Sequence, residues 1–513
     1  MTAACTLGLD LGTSSAKAVV TDVSGSVRAQ GSAGYPVTSA RAGYAESEPA
    51  QWWAAVAACA REAVQAAAAA HCAPPAAIGL SGQMHGLVLT SAAGDALRPA
   101  LLWADSRATG MLDRYRRLGP AALARLANPL SPGMTGPLLA WVAEHEPGIY
   151  TAARWALQPK DWLRARLTGE IHAEPSDASA TLLYDVIGDQ WDVEVTGALG
   201  LEPGLLAPLL PSSAAPAGQL TARAAAELGL PAGIPVAAGA SDTAAAALGS
   251  GIGVGDIQLT VGTGAQVIRP LAAPADRAAA GVHLYRTAAP RGWYNMGATL
   301  SAGLSLNWVR EVLNASWDEL YASAGAPGRA TDPIFAPHLT GERTPYSDPA
   351  MRGSWTALSL ADDRTSLLRC ALEGTAFAIR DALDALAGKE RPDRLRLAGG
   401  GTLAAGWRQL LADVLGLPLY AVDVPAASGR GAALLGAAVA GLLGPDQICG
   451  ELAPPVHLVA EPDPGAAAFH AERHAQFQRV VAALRQSDEG QSDPGQSDPG
   501  QSDQGEYGQE GAA

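Results

Sequence analysis

A short apolar strand that breaks at Gly-Thr and returns as a second strand occurs twice in this chain. The first copy is Leu9-Asp10-Leu11-Gly12-Thr13-Ser14, returning through Ala18-Val19-Val20; the second is Leu259-Thr260-Val261-Gly262-Thr263-Gly264, returning through Gln266-Val267-Ile268. The copies lie about half a body apart. Each opens a segment in which strand and helix patterns alternate, so the body reads as a duplicated α/β unit. Glycine admits close backbone approach, and consecutive N–H groups with a Thr or Ser hydroxyl make an anion cradle. An ordinary hairpin turn accounts for either copy alone. The matched pair points to two hairpins facing one another across a cleft and gripping a polyphosphate from both sides.

The copies differ at one position, where Asp10 of the first is Thr260 of the second. A carboxylate in an apolar strand needs a partner or a task. One carboxylate beside a triphosphate suits Mg2+, which takes one or two carboxylates plus phosphate oxygens and waters. A P-loop is excluded, because none of Lys17, Lys160 and Lys389 has the neighbours that GxxxxGK[ST] requires. Gly249, Gly251, Gly253 and Gly255 do not meet GxGxxG, so a dinucleotide fold has no support.

Four further segments carry polar groups in telling places. Asp242 ends Gly239-Ala240-Ser241-Asp242 and begins a helix. It reads either as a cap worth about 1 kcal/mol or as a general base at the mouth of the cleft, the group that phosphoryl transfer to an alcohol wants. Ser81-Gly82-Gln83-Met84-His85-Gly86 follows an apolar strand and reads as a ligand-facing loop, with a satisfied structural histidine as the alternative. Leu102-Trp103-Ala104-Asp105-Ser106-Arg107 offers a ring to stack on C–H faces and a carboxylate to accept hydroxyls, as a polyol pocket uses. Gly399-Gly400-Gly401-Thr402 precedes a helix and either admits a base or ribose or is a plain strand-to-helix turn. His470 and His474 lack a third metal ligand and read as a solvated helix face, and Glu373 is a helical residue of no assigned role.

Composition narrows the classes. The net charge is −15, and seven acidic residues after Ser487, with no basic one, account for nearly half of it. That stretch repeats a five-residue QSDPG-like unit with nothing apolar to bury, so 486–513 is expected to be disordered. No basic stripe interleaves with aromatics, which argues against nucleic acid. Five scattered cysteines without a CxxC pair argue for a reducing compartment. No leader pattern and no apolar run of about 20 residues is found, so the expected location is the cytoplasm.

Taken together, these residues resemble the FGGY carbohydrate kinases of the actin-like ATPase superfamily over nearly all of 1–485. The likeness is carried by LGLDLGTSSAKAVV, GLSGQMHGLVL, PALLWADSRA, PKDWLRARLTGE, SDASATLLYDV, AAGASDTAAAALGSG, LTVGTGAQV, FAPHLTGERTPYSDPAMRG and AGGGTLAAGWRQLLADV, and by GRGAALLGAAVAG further on. The resemblance implies two ribonuclease-H-like domains, 1–243 on the sugar side and 244–485 on the ATP side. It implies transfer of a phosphoryl group from Mg-ATP to the terminal hydroxyl of a sugar, with D-xylulose favoured by Gln83-Met84-His85 over ribulose, gluconate or glycerol. Carried over by position, Asp242 is the catalytic base and Asp10 the metal and phosphate carboxylate. Gln83, Met84, His85, Trp103 and Asp105 are substrate residues. Gly12, Thr13, Ser14 and Lys17 of the first hairpin, Gly262, Thr263 and Gly264 of the second, and Gly400 and Gly401 hold ATP. The expected partners are small molecules, with no nucleic acid and no membrane; a homodimer is allowed for. Two departures stand out: Gly136-Pro137-Leu138-Leu139-Ala140-Trp141 lacks a lysine common in relatives, and Arg430 stands where many have proline or another small residue. The rival from another class is an actin-like ATP switch without a sugar pocket.

Overall fold

A computed structural model of the chain describes residues 4–274, 281–388, 391–444 and 447–491. The first hairpin forms as the sequence dictates: β1 (Cys5–Leu11) and β2 (Ser15–Asp22) pair antiparallel around the turn 12–14, with Asp10 opposite Lys17. Next come β3 (Val27–Gly34) and α1 (Pro49–Ala69), whose proline sits in the first turn, where a missing N–H is harmless. They are followed by β4 (Pro75–Gly82), β5 (Pro216–Gln219), β6 (Pro235–Ala237) and β7 (Ala240–Ser241). The seven-stranded sheet runs β5-β6-β4-β1-β2-β3, with β7 also on β4. β7 passes directly into α2 (Asp242–Ser250), so the junction 243/244 falls in the first turn of that helix.

The second half repeats the plan. β8 (Gln258–Val261) and β9 (Ala265–Leu271) form the second hairpin around Gly262-Thr263-Gly264. β10 (His283–Arg286), β11 (Trp293–Thr299), α3 (Arg364–Ala387), β12 (Leu395–Ala398), α4 (Ala405–Leu415), β13 (Leu419–Val422), α5 (Ala427–Val439), β14 (Val456–Ala460) and α6 (Pro464–Gln491) complete it. The sheet order is β10-β11-β9-β8-β12-β13-β14. In both halves the hairpin's first strand lies beside a parallel strand, β1 beside β4 and β8 beside β12. The expected doubled α/β architecture is therefore present, in the register the two Gly-Thr motifs marked. Residues between 87 and 206 build a separate small core around Leu138, Leu139, Leu183 and Leu199.

The halves are not laid end to end. α5 of the second half lies on the first sheet, and a Cβ built on Gly79 of β4 would fall 1.7 Å from the carbonyl oxygen of Ala432. Only a bare backbone permits that approach. The equivalent helices α2 and α5 also meet each other backbone to backbone. A Cβ on Gly249 would sit 1.9 Å from Ala427 O, and one on Gly431 would sit 1.9 Å from Ala245 O, a reciprocal pair of contacts.

Arg430, the departure noted in the sequence, is buried in this seam. Its guanidinium donates to Gly25 O (2.7 Å), Gly249 O (2.6 Å) and Leu452 O (2.7 Å), tying the first sheet, α2 and the second half together. Arg430→Ala leaves three carbonyls without their donor, and bonds to charged groups are worth about 1.5–3 kcal/mol each. With partial access of water, a loss of roughly 3 kcal/mol is expected, read as a lower denaturation midpoint. An unchanged midpoint would show that the staple contributes nothing.

Two expectations are corrected. His470 and His474 do not face solvent: both are buried, His470 Nδ1 lying 3.0 Å from Glu373 and His474 Nε2 lying 2.7 Å from Asp381. The low-complexity segment expected to begin at 486 instead continues α6 to Gln491, since no helix-breaking proline occurs before Pro494. The rest of that expected disordered tail, 492–513, lies outside the described residues. Among the described residues no helix is long and apolar enough to cross a membrane.

Candidate active site

The carboxyl ends of β1, β4 and β7 converge. Asp10 is opposite Ser81 in the parallel register, and Ser81 is opposite Ala240 on the other side, so Asp10, Ser81 and Asp242 lie at or just beyond the ends of three neighbouring strands. Ser81 Oγ donates to Asp10 at 2.9 Å. Burial pushes the Asp10 carboxyl above its usual range, against the pull of Ser81 and the Lys17 ammonium. The Lys17 side chain itself is exposed on β2.

Asp242 opens α2, with its own neighbour's N–H (Thr243, 2.5 Å) and hydroxyl (3.1 Å) on one oxygen. Burial first, and the negative charge of Asp10 second, push its carboxyl up to about 7. A carboxylate half-ionised at neutral pH is suited to take and release a proton there. The cap reading accounts for the helix start but not for that environment. Ser241 is the N-cap residue, and its side chain makes no capping bond.

The loop leaving β4 turns into the same space. The Gln83 N–H is fixed on Leu11 O at 2.8 Å, while both polar atoms of its fully buried amide have no hydrogen-bond partner among the described residues. Such orphans call for a polar occupant. Met84 is buried beside them. His85, in the left-handed region at φ 74°, lies with Nδ1 2.8 Å from Ala180 O. A carbonyl only accepts, so Nδ1 carries the proton and Nε2 offers its lone pair. Burial, reinforced by the Arg343 guanidinium, lowers His85 to about 4, so it is neutral at pH 7.

Trp103 is more than one-third exposed, and its indole N–H donates to Thr13 Oγ1 at 2.9 Å, joining the aromatic segment to the first Gly-Thr turn. Arg343, from the second half, lies 5.7 Å from the centre of its ring. Asp105, expected to accept substrate hydroxyls, is otherwise employed. It is 1% exposed, and its oxygens take the Ala45 N–H (2.7 Å) and the N–H groups of Arg107 (2.8–3.0 Å). It braces the segment from behind, because a buried carboxylate beside an arginine forms the bidentate pair.

On the other side, Gly262-Thr263-Gly264 tops the second hairpin, with Gly262 and Thr263 exposed. Their carbonyls receive the N–H groups of Gly303 (3.0 Å) and Leu304 (2.9 Å). Gly399 to Gly401 close over the same strand end. A Cβ on Gly401 would meet Val261 O at 2.9 Å, whereas one on Gly400 would meet nothing. Gly400 thus presents open backbone beside the Gly262 turn. The structure accordingly brings Asp10, Gln83, Met84, His85 and Asp242 together at one strand-end cluster, and Gly262–Gly264 with Gly400 and Gly401 at its equivalent in the second half. Sequence reasoning passed over Arg343, and also Tyr285 and His283, which are joined by a 2.7 Å bond between Tyr285 OH and His283 Nδ1. GERTPY in the sequence was a signal for the first of these, but no spacing links it to Trp103.

Two family models cover the chain: the N-terminal domain of the FGGY family of carbohydrate kinases matches residues 5–249 and its C-terminal domain matches 258–440. The chain belongs to the FGGY family of carbohydrate kinases. It is similar to the xylulose kinase of Escherichia coli K12, 32% identical over 93% of this chain and 99% of that one. It is also similar to the xylulose kinase of Bacillus subtilis 168, 33% identical over 84% and 87%. Among solved structures, a xyloylose kinase from Brucella ovis superposes with a TM-score of 0.87 at 34% identity, covering 94% of this chain and 100% of that one. A gluconate kinase from Lactobacillus acidophilus shares the fold at TM-score 0.88 and 24% identity. As an FGGY kinase the protein is an ATP-dependent carbohydrate kinase, with one seven-stranded sheet and one strand-end cluster in each half.

Proposed function

We propose that this kinase phosphorylates the terminal hydroxyl of D-xylulose, giving D-xylulose 5-phosphate and ADP. The carrying observation is Asp242, a carboxylate pushed up to about 7 by burial and by Asp10, at the end of a strand paired with β4, whose exit loop carries a neutral histidine and an unpartnered glutamine amide. Xylulose kinases at 31–35% identity support the choice of sugar. Asp242 takes the proton of the C5 hydroxyl as that oxygen bonds to the γ-phosphorus and the bond to the β-phosphate oxygen breaks. His85 Nε2 accepts a sugar hydroxyl, and the Gln83 amide supplies one donor and one acceptor. The Gly12–Ser14 and Gly262–Gly264 turns present N–H groups and hydroxyls to the phosphates, and Gly400 and Gly401 give the nucleotide close backbone approach.

Mg2+ brought in with ATP needs one or two carboxylates beside phosphate oxygens and waters. Asp10, which accepts from Ser81, would hold the ion together with phosphate oxygens; when bound, Mg2+ neutralises charge on the triphosphate.

The test is ADP release with no sugar and with D-xylulose, ribulose, gluconate and glycerol in turn. The proposal expects kcat/KM for D-xylulose at least about tenfold above any other, a difference of about 1.4 kcal/mol in transition-state binding. A higher value for gluconate or glycerol would reassign the substrate, and release indifferent to sugar would favour an ATP switch.

A further inference from the structure

Behind Asp242 lies a set of charges that the proposed mechanism does not use. Lys160, Asp161, Arg164, Glu174 and Asp177 are each at most 1% exposed. Lys160 Nζ is 2.6 Å from Asp161, 3.4 Å from Glu174 and 3.7 Å from Asp177. Arg164 donates to Asp161 at 2.8 Å. Burial drives the Asp177 carboxyl well above its usual range, despite the pull of Lys160. Taking such groups out of water costs about as much as their attraction returns, and apolar residues of the same volume fill a core at least as well. Stability therefore gives no reason for the cluster, whereas holding one conformation does.

What the cluster holds is the strand that enters Asp242. The Ser241 N–H donates to Ser176 Oγ at 3.0 Å, and Ser176 Oγ donates to Glu174 Oε1 at 2.8 Å. The same carboxylate accepts the N–H groups of Ser176 (2.9 Å) and Asp177 (3.0 Å) and the Ser213 hydroxyl (2.8 Å). Three residues before Ser241, the Ala238 carbonyl accepts from Arg164 at 2.7 Å. Both backbone edges of 238–241 are thus tied to buried charges. Ser241 makes no side-chain cap, and the side-chain bonds within the first turn of α2 are those of Asp242 itself to Thr243, so the entering strand is held through its backbone.

We infer that Glu174, acting through Ser176, is a positioning residue that sets the direction in which Asp242 presents its carboxylate. The inference rests on Asp242 being the base. Two serines separate it from a purely structural role. Ser176 and Ser213 both give a buried hydroxyl to Glu174, but only Ser176 reaches Ser241.

Ser176→Ala is expected to lower kcat on D-xylulose by about 10- to 100-fold, the scale of an ångström of misplacement, with KM for sugar and ATP held within about twofold. Ser213→Ala is expected to leave kcat within about twofold at a similar melting midpoint. Equal kcat in the two variants, or a rise in KM alone for Ser176→Ala, overturns the inference. Should Ser176→Ala not fold, Glu174→Gln must show the same kcat-only loss; loss of the fold in both would assign the cluster to stability and overturn it as well. Asp242→Asn in the same assay keeps the two readings apart. If that variant is inert while Ser176→Ala matches Ser213→Ala, only the relay fails. If it is fully active, the assignment of the base fails.

Discussion

Asp242→Asn is expected to fold normally and to lose roughly 10²- to 10⁴-fold in sugar-dependent turnover, the usual contribution of a positioned general base. The amide keeps the shape and the acceptor toward Thr243, so the loss should appear in kcat and leave both KM values near their original level. The pH profile gives a second signature. Only the ionised carboxylate accepts a proton, and burial together with Asp10 holds this group up to about 7. In the free enzyme kcat/KM for the sugar should therefore rise with pH through about 7 and level off above it. That limb should vanish in the variant. Wild-type turnover by Asp242→Asn, measured as ADP released in the presence of D-xylulose, would remove the residue from the mechanism.

Arg473→Met is expected to cause the largest loss of stability. Arg473 is buried on α6 and gives hydrogen bonds to Glu373 Oε2 (2.6 Å), Asp332 O (2.6 Å) and Pro333 O (2.9 Å). Methionine fills the volume but removes the guanidinium that donates to Glu373, leaving His470 (3.0 Å) and Arg369 (3.7 Å) beside the buried carboxylate; breaking such a pair costs about 3–5 kcal/mol, and the lower end is expected here. Burial alone would raise Glu373, yet hydrogen bonds from His470 and Arg473 and the nearby guanidiniums bring it below its ordinary value. A lowered folded value means that its contribution is present at neutral pH and fades as pH falls below the ordinary carboxylate range toward the folded value. The gap in denaturation midpoint between wild type and Arg473→Met should therefore narrow in acid. A constant gap from neutral to acid pH would show that the arginine acts by packing alone.

What could be read from the sequence was what lies close along it. The two hairpins, the helix opened by Pro49 and the helix through Trp407 each carry their signal within a few residues, and all stand where the pattern put them. Asp10 and Asp242 come together because β1 and β7 both run parallel to β4 and their carboxyl ends share an edge. Asp105 shows the limit. Its spacing from Trp103 suggested a shared pocket, whereas its oxygens accept from Arg107 and from the Ala45 N–H, contacts that the spacing did not announce. His470 and His474 show the same limit at long range, since their carboxylates lie about a hundred residues away on α3. Nothing in Ser176 announces Ser241 either; only the fold closes the 65 residues between them.

The seating of α5 on the first sheet has a consequence for how the chain is made. β1 and β4 emerge from the ribosome early, but the helix that must lie against Gly79 follows roughly 350 residues later. At synthesis rates of about 5–20 residues per second, the early sheet waits on the order of twenty seconds to a minute for its cover. Over that interval a glycine-bared groove stands open on a nascent chain, and the first half of this kinase completes its folding only when the second half is nearly translated.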